Sequence, residues 1–508
     1  MQSQDYRIQQ IVQVEQSFDV TRLKYKNIHI WAFIRILLAN QLDSDTRSQE
    51  YPVKTDKIFT AQTLRYHLQK LAKFARPLAN IAYQNFIKQL STQLEPFSER
   101  DMLLWSRPKD YIQQIENKHF SPYIDPFIDL LDDNSSYLKL ELQLSETSSK
   151  TPKYFEAIPL NIASFKRMRL FLEDVQHIEG LQALCDVIYE VTGIETDCER
   201  LEEKIASHFT YVRLFSDVLS SLKPRVLILQ SYYSPLTMAL ITACKHLNII
   251  TVDNQHGIMD KEPSYSNWSN LPDSGYEALP DFFWTWGQYG ADVINEWRPE
   301  NYAHHQAIIG GHLWLAYKDR MPATNGIKPL IDQAKKAKKV ILISLQYLTW
   351  EDALPDSVLD AMQTAPPDYL WLIRLHPIHA KADDVQKLIY EFEQRTIKNY
   401  EIDLSTEAGL SEILTLSDVH LTRSSGTVYE ALALNVPAGT FHAKGLEYFE
   451  RLIEKQIVHP VLSSEEILSF IEQSEHIKTV NAHYFAETDP AIATSALKTI
   501  LAQTKPLS

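Results

Sequence analysis

Three short clusters combine residue types that do chemistry. Asp253-Asn254-Gln255-His256-Gly257 places a carboxylate and an imidazole within four residues. That pairing suits a general base or a nucleophile, and Gly257 permits a sharp turn beneath a substrate. It equally suits a structural Asp–His pair in a strand-to-loop turn. Asp260, Lys261 and Glu262 follow in the same loop, in reserve for the base role and for binding an acidic acceptor or donor. Arg374-Leu375-His376-Pro377 closes an apolar run. The proline fixes the turn and pushes His376 into an extended conformation, where its imidazole can reach a phosphate or protonate a leaving oxygen. Otherwise His376 is a turn histidine. Ser424-Ser425-Gly426-Thr427 sits between a strand-like and a helix-like run. Hydroxyls, a close-approach glycine and unsatisfied helix-start amides together suit a phosphate, with Glu430 one turn on for a ribose hydroxyl. Simple helix capping by serine or threonine is the other reading.

These clusters need elements to hold them, and apolar patterning supplies an alternating series. Strands are expected at DMLLWS (101–106), YLKLELQL (137–144), RVLILQ (225–230), IITVDNQHG (249–257), DFFWTWG (281–287) and HQAIIGGH (305–312). PYIDPFIDLLDD is expected to begin a helix, and 163–220 is expected to be a helical insertion. A polar stretch at 318–339 reads as a boundary. A second series follows: KKVILISLQ, DYLWLIRLHP, NYEIDL, DVHLTRSS and VPAGTFH, with helices between and after. Strand–helix alternation predicts parallel sheets covered on both faces. The chain therefore divides into a helical extension (1–95), a Rossmann-like domain (96–325) and a second Rossmann-like domain (326–508). All three clusters fall at strand carboxyl ends, where open parallel sheets bind ligands.

The bulk numbers narrow the class. The chain has 508 residues, 44% hydrophobic and 11% aromatic, enough for several cores. Its net charge of −15 argues against a general nucleic-acid binder. The absence of GxGxxG and GxxxxGK[ST] disfavours a dehydrogenase and a P-loop NTPase. Cys185, Cys198 and Cys244 are too few and too irregularly spaced for a disulfide framework, so a reducing cytoplasm is expected. No His, Cys or Asp cluster has metal-ligand spacing, and neither a metal nor a cofactor is expected. The N-terminus is polar, without a signal-peptide core. In RYHLQKLAKFARPLANIAYQNFIKQL (65–90), Pro77 is expected to break or kink a helix. That segment packs on the body of the protein or, as a basic amphipathic helix, touches the cytoplasmic face of a membrane.

The clusters in combination resemble GT-B-fold glycosyltransferases of bacterial surface polysaccharides, above all those using CMP-activated ulosonic acids such as Kdo, sialic acid or pseudaminic acid. In those families the nucleotide-binding domain carries an HP motif and a serine pair, matched here by His376-Pro377 and Ser424-Ser425. Capsule members carry a Gln-His-Gly motif, matched by Gln255-His256-Gly257. Teichoic acid glycerophosphotransferases share a similar R-x-H-P and Ser-Ser pattern, with CDP-glycerol as donor. The resemblance spans about 99–503. The Asp-Asp-Gly or Glu-Asp-Gly motif that supplies the base in one sialyltransferase group is not evident.

The resemblance implies a GT-B enzyme that moves an acidic sugar from a nucleotide donor to a glycan acceptor, lipid-linked in some families. It implies a phosphate site at Arg374, His376, Pro377, Ser424, Ser425, Gly426 and Thr427, with Glu430 on the ribose. Asp253 or His256 would activate the acceptor, and Gln255, Gly257, Arg107 and Lys109 would contact the sugar. A CDP-glycerol-type glycerophosphotransferase and a nucleotide-sugar epimerase-like GT-B protein are the competing expectations.

Overall fold

The computed structural model describes residues 4–50, 59–131, 135–145, 152–317, 323–346, 350–376, 382–477 and 481–504. Pro377, His379 and the 318–322 stretch lie outside them. Two all-parallel sheets carry the fold. The first contains β1 (Met102–Ser106), β2 (Tyr137–Gln143), β3 (Ile158–Asn161), β4 (Val226–Gln230), β5 (Ile250–Asn254), β6 (Phe282–Thr285) and β7 (Gln306–Ile309). Their order across the sheet is β7-β6-β5-β4-β1-β2-β3. The second contains β8 (Lys339–Ser344), β9 (Tyr369–Arg374), β10 (Tyr400–Glu401), β11 (Val419–Thr422), β12 (Ala438–Thr440) and β13 (Val458–Pro460), in the order β10-β9-β8-β11-β12-β13. The near-continuous apolar runs in MLLW, VLIL and VILI are what a strand buried on both faces requires.

The period of two sorts each strand between two cores. Met102 and Leu104 join Val226 and Ile228 on one face of the first sheet, while Leu103 and Trp105 join Leu227 and Leu229 on the other. In the second sheet, Ile341 and Ile343 face one core and Val340 and Leu342 the other.

Strands β3 and β13 escape the sequence pattern because each is a short run at a sheet edge. The segment after Tyr123 is a short 3-10 helix, Asp125–Leu130, in place of an α-helix. NYEIDL gives only a two-residue strand before the helix Asp403–Glu407.

The N-terminal helices are built into the first domain. Helices Gln4–Ser17, Trp31–Glu50 and Phe59–Leu94 contribute Ile11, Val14, Trp31, Ile34, Tyr83 and Leu94 to the core that holds Leu103 and Trp105. Arg35 and Glu15 form a fully buried ion pair. Arg35 also donates to the carbonyls of Pro263 (3.1 Å) and Ser266 (2.8 Å), and its guanidinium lies 4.2 Å from the Trp268 ring centre. The extension thereby clamps the loop that follows the Gln-His-Gly cluster.

Pro77 does not end its helix, which runs unbroken from Phe59 to Leu94. Burial of Tyr83, Leu90 and Leu94 on the core holds the flanking turns despite the lost backbone bond. In this helix the side chains from 59 to 74, including Arg65, Lys70 and Lys73 of the membrane-contact reading, lie outside the described ones. Among the described residues, no helix is long and apolar enough to cross a membrane.

Two further corrections concern the ends of elements. Cys185 and Cys198, expected to be unpaired, form a disulfide, because helices Leu181–Thr192 and Cys198–Leu222 bring them side by side. The last helix, Pro490–Ala502, leaves the second domain and lays Ala493, Ala496, Leu497 and Ile500 against Met102, Leu104, Val226 and Ile228 of the first sheet. The returning chain is stitched in place on its way. The Glu487 amide donates to the Trp286 carbonyl (2.8 Å), and the His312 amide donates to the Glu487 carbonyl (2.9 Å).

Candidate functional site

Strand register sets the three clusters at matching heights. In the second sheet Ser344 lies opposite both Arg374 and Thr422 at the carboxyl ends of β8, β9 and β11. In the first, Asn254 lies opposite Gln230 and Trp284. The two sets of strand ends face each other across a cavity of about 500 Å³, a size suited to a small-molecule ligand. These two Rossmann-like domains about a common cleft constitute a GT-B fold.

The second-domain wall presents Arg374, His376, Ser425, Gly426, Thr427 and Glu430 to the cavity. Arg374 is anchored by Nη1, which donates to the carbonyls of Ser405 (2.7 Å) and Ala408 (2.6 Å). Burial pushes its pKa down to about 10, against the opposing pull of Glu430, so the guanidinium stays charged at neutral pH.

The serine pair divides its labour. Ser425 faces the cavity, whereas Ser424 is buried, donates to Gln346 Oε1 (3.1 Å) and is not among the lining residues. The helix-start amides are already occupied. Ser425 N–H donates to Thr422 Oγ1 (3.2 Å) and Thr427 N–H to Ser425 Oγ (3.3 Å). Val428 N–H donates to the Ser425 carbonyl and Tyr429 N–H to that of Gly426. The helix itself, Thr427–Ala433, has only seven residues. The anion-binding capacity of this wall therefore resides in side chains, Arg374 foremost, more than in the helix end.

Gly426 serves a second purpose. A Cβ there would stand 3.2 Å from Ile258 N and 3.4 Å from Gly257 Cα. The two glycine-bearing loops of the two domains thus approach closely, and a methyl at 426 would require the Ile258 backbone to give by a few tenths of an ångström.

The first-domain wall departs further from expectation. His256 lines the cavity, with Ser231 Oγ 3.0 Å and Tyr233 OH 3.2 Å from its Nε2. Its ring stacks on Tyr233 and meets Tyr123 and Tyr265 edge-on. Burial, reinforced by the charge of Arg107, pushes its pKa down to about 4, so the imidazole is neutral at pH 7.

Asp253, expected to share the catalytic work, is buried behind this wall. Its Oδ1 accepts from Tyr232 N–H (3.0 Å) and its Oδ2 from Tyr265 O–H (2.8 Å). Burial pushes its carboxyl up to about 7. Gln255 is likewise internal. It donates to the Gly257 carbonyl (3.0 Å) and accepts from Trp286 N–H (2.8 Å), bracing its own loop where a sugar contact was expected. Arg107 is held by Asp110 (3.0 Å) and the Gln230 carbonyl (3.2 Å), away from the cavity, whereas Lys109 reaches its rim. Gly257 lines the cavity, and a Cβ at this position would meet no atom within 4 Å. Among the reserve carboxylates, Glu262 lines the cavity, and Asp260 instead accepts from Tyr289 O–H (3.0 Å).

Several residues lining the cavity or supporting its wall carried no sequence signal for that role. His312 follows β7, and its Nε2 lies 3.1 Å from Glu430 Oε1 across the cleft. Its ring rests on Trp286, with centroids 4.2 Å apart. Tyr123 and Trp286 stack at 6.3 Å with planes 10° apart. Ser231, immediately after β4, adopts a left-handed backbone (φ 60°) that is uncommon outside glycine and asparagine. Two further histidines are structural: His305 is buried between Tyr276 and Pro280, and His442 caps the helix Ala443–Tyr448. Among the described residues, no group of three His, Cys, Asp or Glu side chains is placed to hold a metal ion.

No protein-family profile matches the sequence, and no curated protein does. Solved structures do show a likeness. UDP-GlcNAc 2-epimerase from Methanocaldococcus jannaschii is 12% identical, with 78% of this chain and 99% of that chain covered and a TM-score of 0.46. The Neisseria meningitidis UDP-GlcNAc 2-epimerase bound to UDP-GlcNAc is also 12% identical, covering 79% and 99%, with a TM-score of 0.45. Anabaena HepE in complex with UDP is 13% identical, covering 79% and 98%, with a TM-score of 0.38. Such likeness concerns general layout and assigns no chemistry to this chain.

Proposed function

We propose that the protein is a nucleotide-sugar-dependent glycosyltransferase, with a CMP-activated ulosonic acid as donor and a glycan as acceptor. The observation that carries this reading is the division of the cavity. Arg374, His376, Ser425 and Thr427 line one wall with Glu430, and His256 and Glu262 line the other. In this reading the second-domain wall receives the nucleotide. Arg374 and His376 stabilise negative charge on the phosphate as the sugar leaves, with Ser425 and Thr427 donating hydrogen bonds, and Glu430 accepts from the ribose.

The first-domain wall activates the acceptor. Its hydroxyl oxygen bonds to the anomeric carbon. The bond from that carbon to the phosphate oxygen breaks, CMP leaves with the electron pair, and the hydroxyl proton passes to a base. The cavity-lining groups of this wall that can take this proton are the His256 imidazole, uncharged at pH 7 though made a weaker base by burial, and the Glu262 carboxylate. Asp253, with both oxygens engaged, supports the loop that holds His256. Lys109 at the rim suits the carboxylate of an acidic sugar. Choice of CMP rests on the motif resemblance, and placement at the inner membrane face rests on the basic amphipathic pattern of 65–90.

A nucleotide-sugar epimerase is the second reading. His256 and Glu262 on one wall supply two acid–base groups, which proton removal and return at a sugar carbon would use without any acceptor. A thermal-shift comparison of CMP, CDP, UDP and GDP tests both, since a ligand of the folded state raises its stability by mass action. Selective stabilisation by CMP, lost in Arg374→Ala and His376→Ala, supports the transferase. Preference for CDP indicates glycerophosphate transfer, and preference for UDP with turnover lacking an acceptor indicates epimerisation. No response to any of the four refutes a nucleotide site.

A further inference from the structure

We propose that His312 is a positioning residue that makes ribose recognition a joint property of the two domains. The inference rests on the nucleotide reading of the second-domain wall and extends it to a residue of the opposite domain. His312 follows the β7 end after Gly310 and Gly311 and immediately precedes the helix Leu313–Tyr317, where Leu315 N–H donates to its Nδ1 (3.4 Å). With Nδ1 accepting, the ring proton sits on Nε2 and points across the cleft, 3.1 Å from Glu430 Oε1. Both side chains are almost entirely buried, at 1% and 7% exposed, yet both border the cavity.

The support behind His312 is rigid. Its ring lies on Trp286, and the Trp286 backbone N–H is fixed by Gln255 of the Gln-His-Gly cluster. The cluster therefore reaches the nucleotide wall through Trp286 and His312. A carboxylate accepts at about four lone-pair sites, so one bond from His312 leaves capacity for the two hydroxyls of a ribose diol. The bond also sets where that capacity points. Without it, the nearest compensating charge for Glu430 is Arg374, which already feels its field. The carboxylate would turn towards the guanidinium and weaken both the ribose and the phosphate contacts.

The test is calorimetric titration of the full-length protein with CMP and UDP, each beside its 2′,3′-dideoxy form. Wild type should prefer the ribose form by about 10- to 100-fold, the value of hydrogen bonds to a charged group. Glu430→Gln and His312→Ala should each cut that preference to about threefold or less, and the double variant should lose little more, as expected for coupled residues. His312→Gln, which returns an N–H donor, should recover part of the preference. Should His312→Ala lower the melting temperature of the free protein, His312→Gln and Glu430→Gln still carry the comparison.

Binding of CMP or UDP with a wild-type ribose preference in His312→Ala overturns the inference and leaves the nucleotide reading standing. So does strict additivity of the two substitutions. Failure of wild type to bind either nucleotide overturns the nucleotide reading and this inference with it.

Discussion

Replacing Asp253 by asparagine should stabilise the protein at alkaline pH. Burial raises its carboxyl from 3.8 to about 7 in the folded state, even though Tyr265 O–H and Tyr232 N–H favour the ionised form. A group whose folded pKa is raised contributes stability that is complete below its unfolded pKa and is lost as pH rises through the folded one. At pH 8 that loss is full. A gap of about three pH units at about 1.4 kcal/mol each makes it about 4 kcal/mol. Asparagine keeps the shape and removes the charge, and the weakened bond to Tyr265 returns about 1 kcal/mol of cost. The net gain is therefore about 3 kcal/mol at pH 8, shrinking towards zero or below near pH 5. If the first domain and its extension unfold as one unit of about 320 residues, this raises their melting temperature by about 4 °C. Calorimetric scans of both proteins at pH 5, 6.5 and 8 measure it. An Asp253→Asn protein that melts below wild type at pH 8, with an unchanged pH slope, would show that the carboxylate is ionised and well satisfied, and the burial argument would fail.

Other perturbations follow from the same packing. Arg35→Met leaves Glu15 buried and uncompensated, so a loss of about 3–5 kcal/mol is expected by denaturant unfolding, partly recovered by adding Glu15→Gln. Gly426→Ala places a methyl against Ile258 and Gly257 and should cost about 1 kcal/mol, with a weaker nucleotide-induced thermal shift. Gly257→Ala meets open space and should change the stability of the free protein by less than about 0.5 kcal/mol in the same unfolding assay. Arg374→Lys keeps the charge and loses the fork that holds the Ser405 and Ala408 carbonyls, so nucleotide affinity should fall about tenfold or more in titration calorimetry.

Apolar runs made the two central sheets legible, because a strand buried on both faces leaves little room for polar residues. Edge strands β3 and β13 did not stand out, since an edge tolerates a mixed pattern. Strand-end reasoning located the cavity, and it led to His256, His376, Arg374 and Ser425, which all line it. It could not say which way a side chain turns. Asp253 and Gln255 flank His256 closely in sequence, yet both point into the protein and spend their polar atoms on its scaffold. Ser424 turns to Gln346 for the same reason: neighbouring residues at a strand end point to opposite faces. His312 was hidden because its meaning lies in Glu430, 118 positions away. Pro77 misled because local preference yielded to packing, and the cysteine pair because a separation of 13 residues does not reveal two helices laid side by side.

The chain enters the second domain once and comes back once, and the outgoing and returning segments are bonded to each other where His312 meets Glu487. Two connectors joined at one place act as a hinge pin. Such a line favours a swing over sliding or twisting once the outer ties, Lys261 to Glu450 and Arg451 to Glu296, let go. Atoms near a pin travel least when a door opens. The contact between His312 and Glu430 lies beside it, so it persists through a swing that would part more distant edges of the cleft. A nucleotide could then settle against a half-formed site before the rest of the cleft shuts around its sugar.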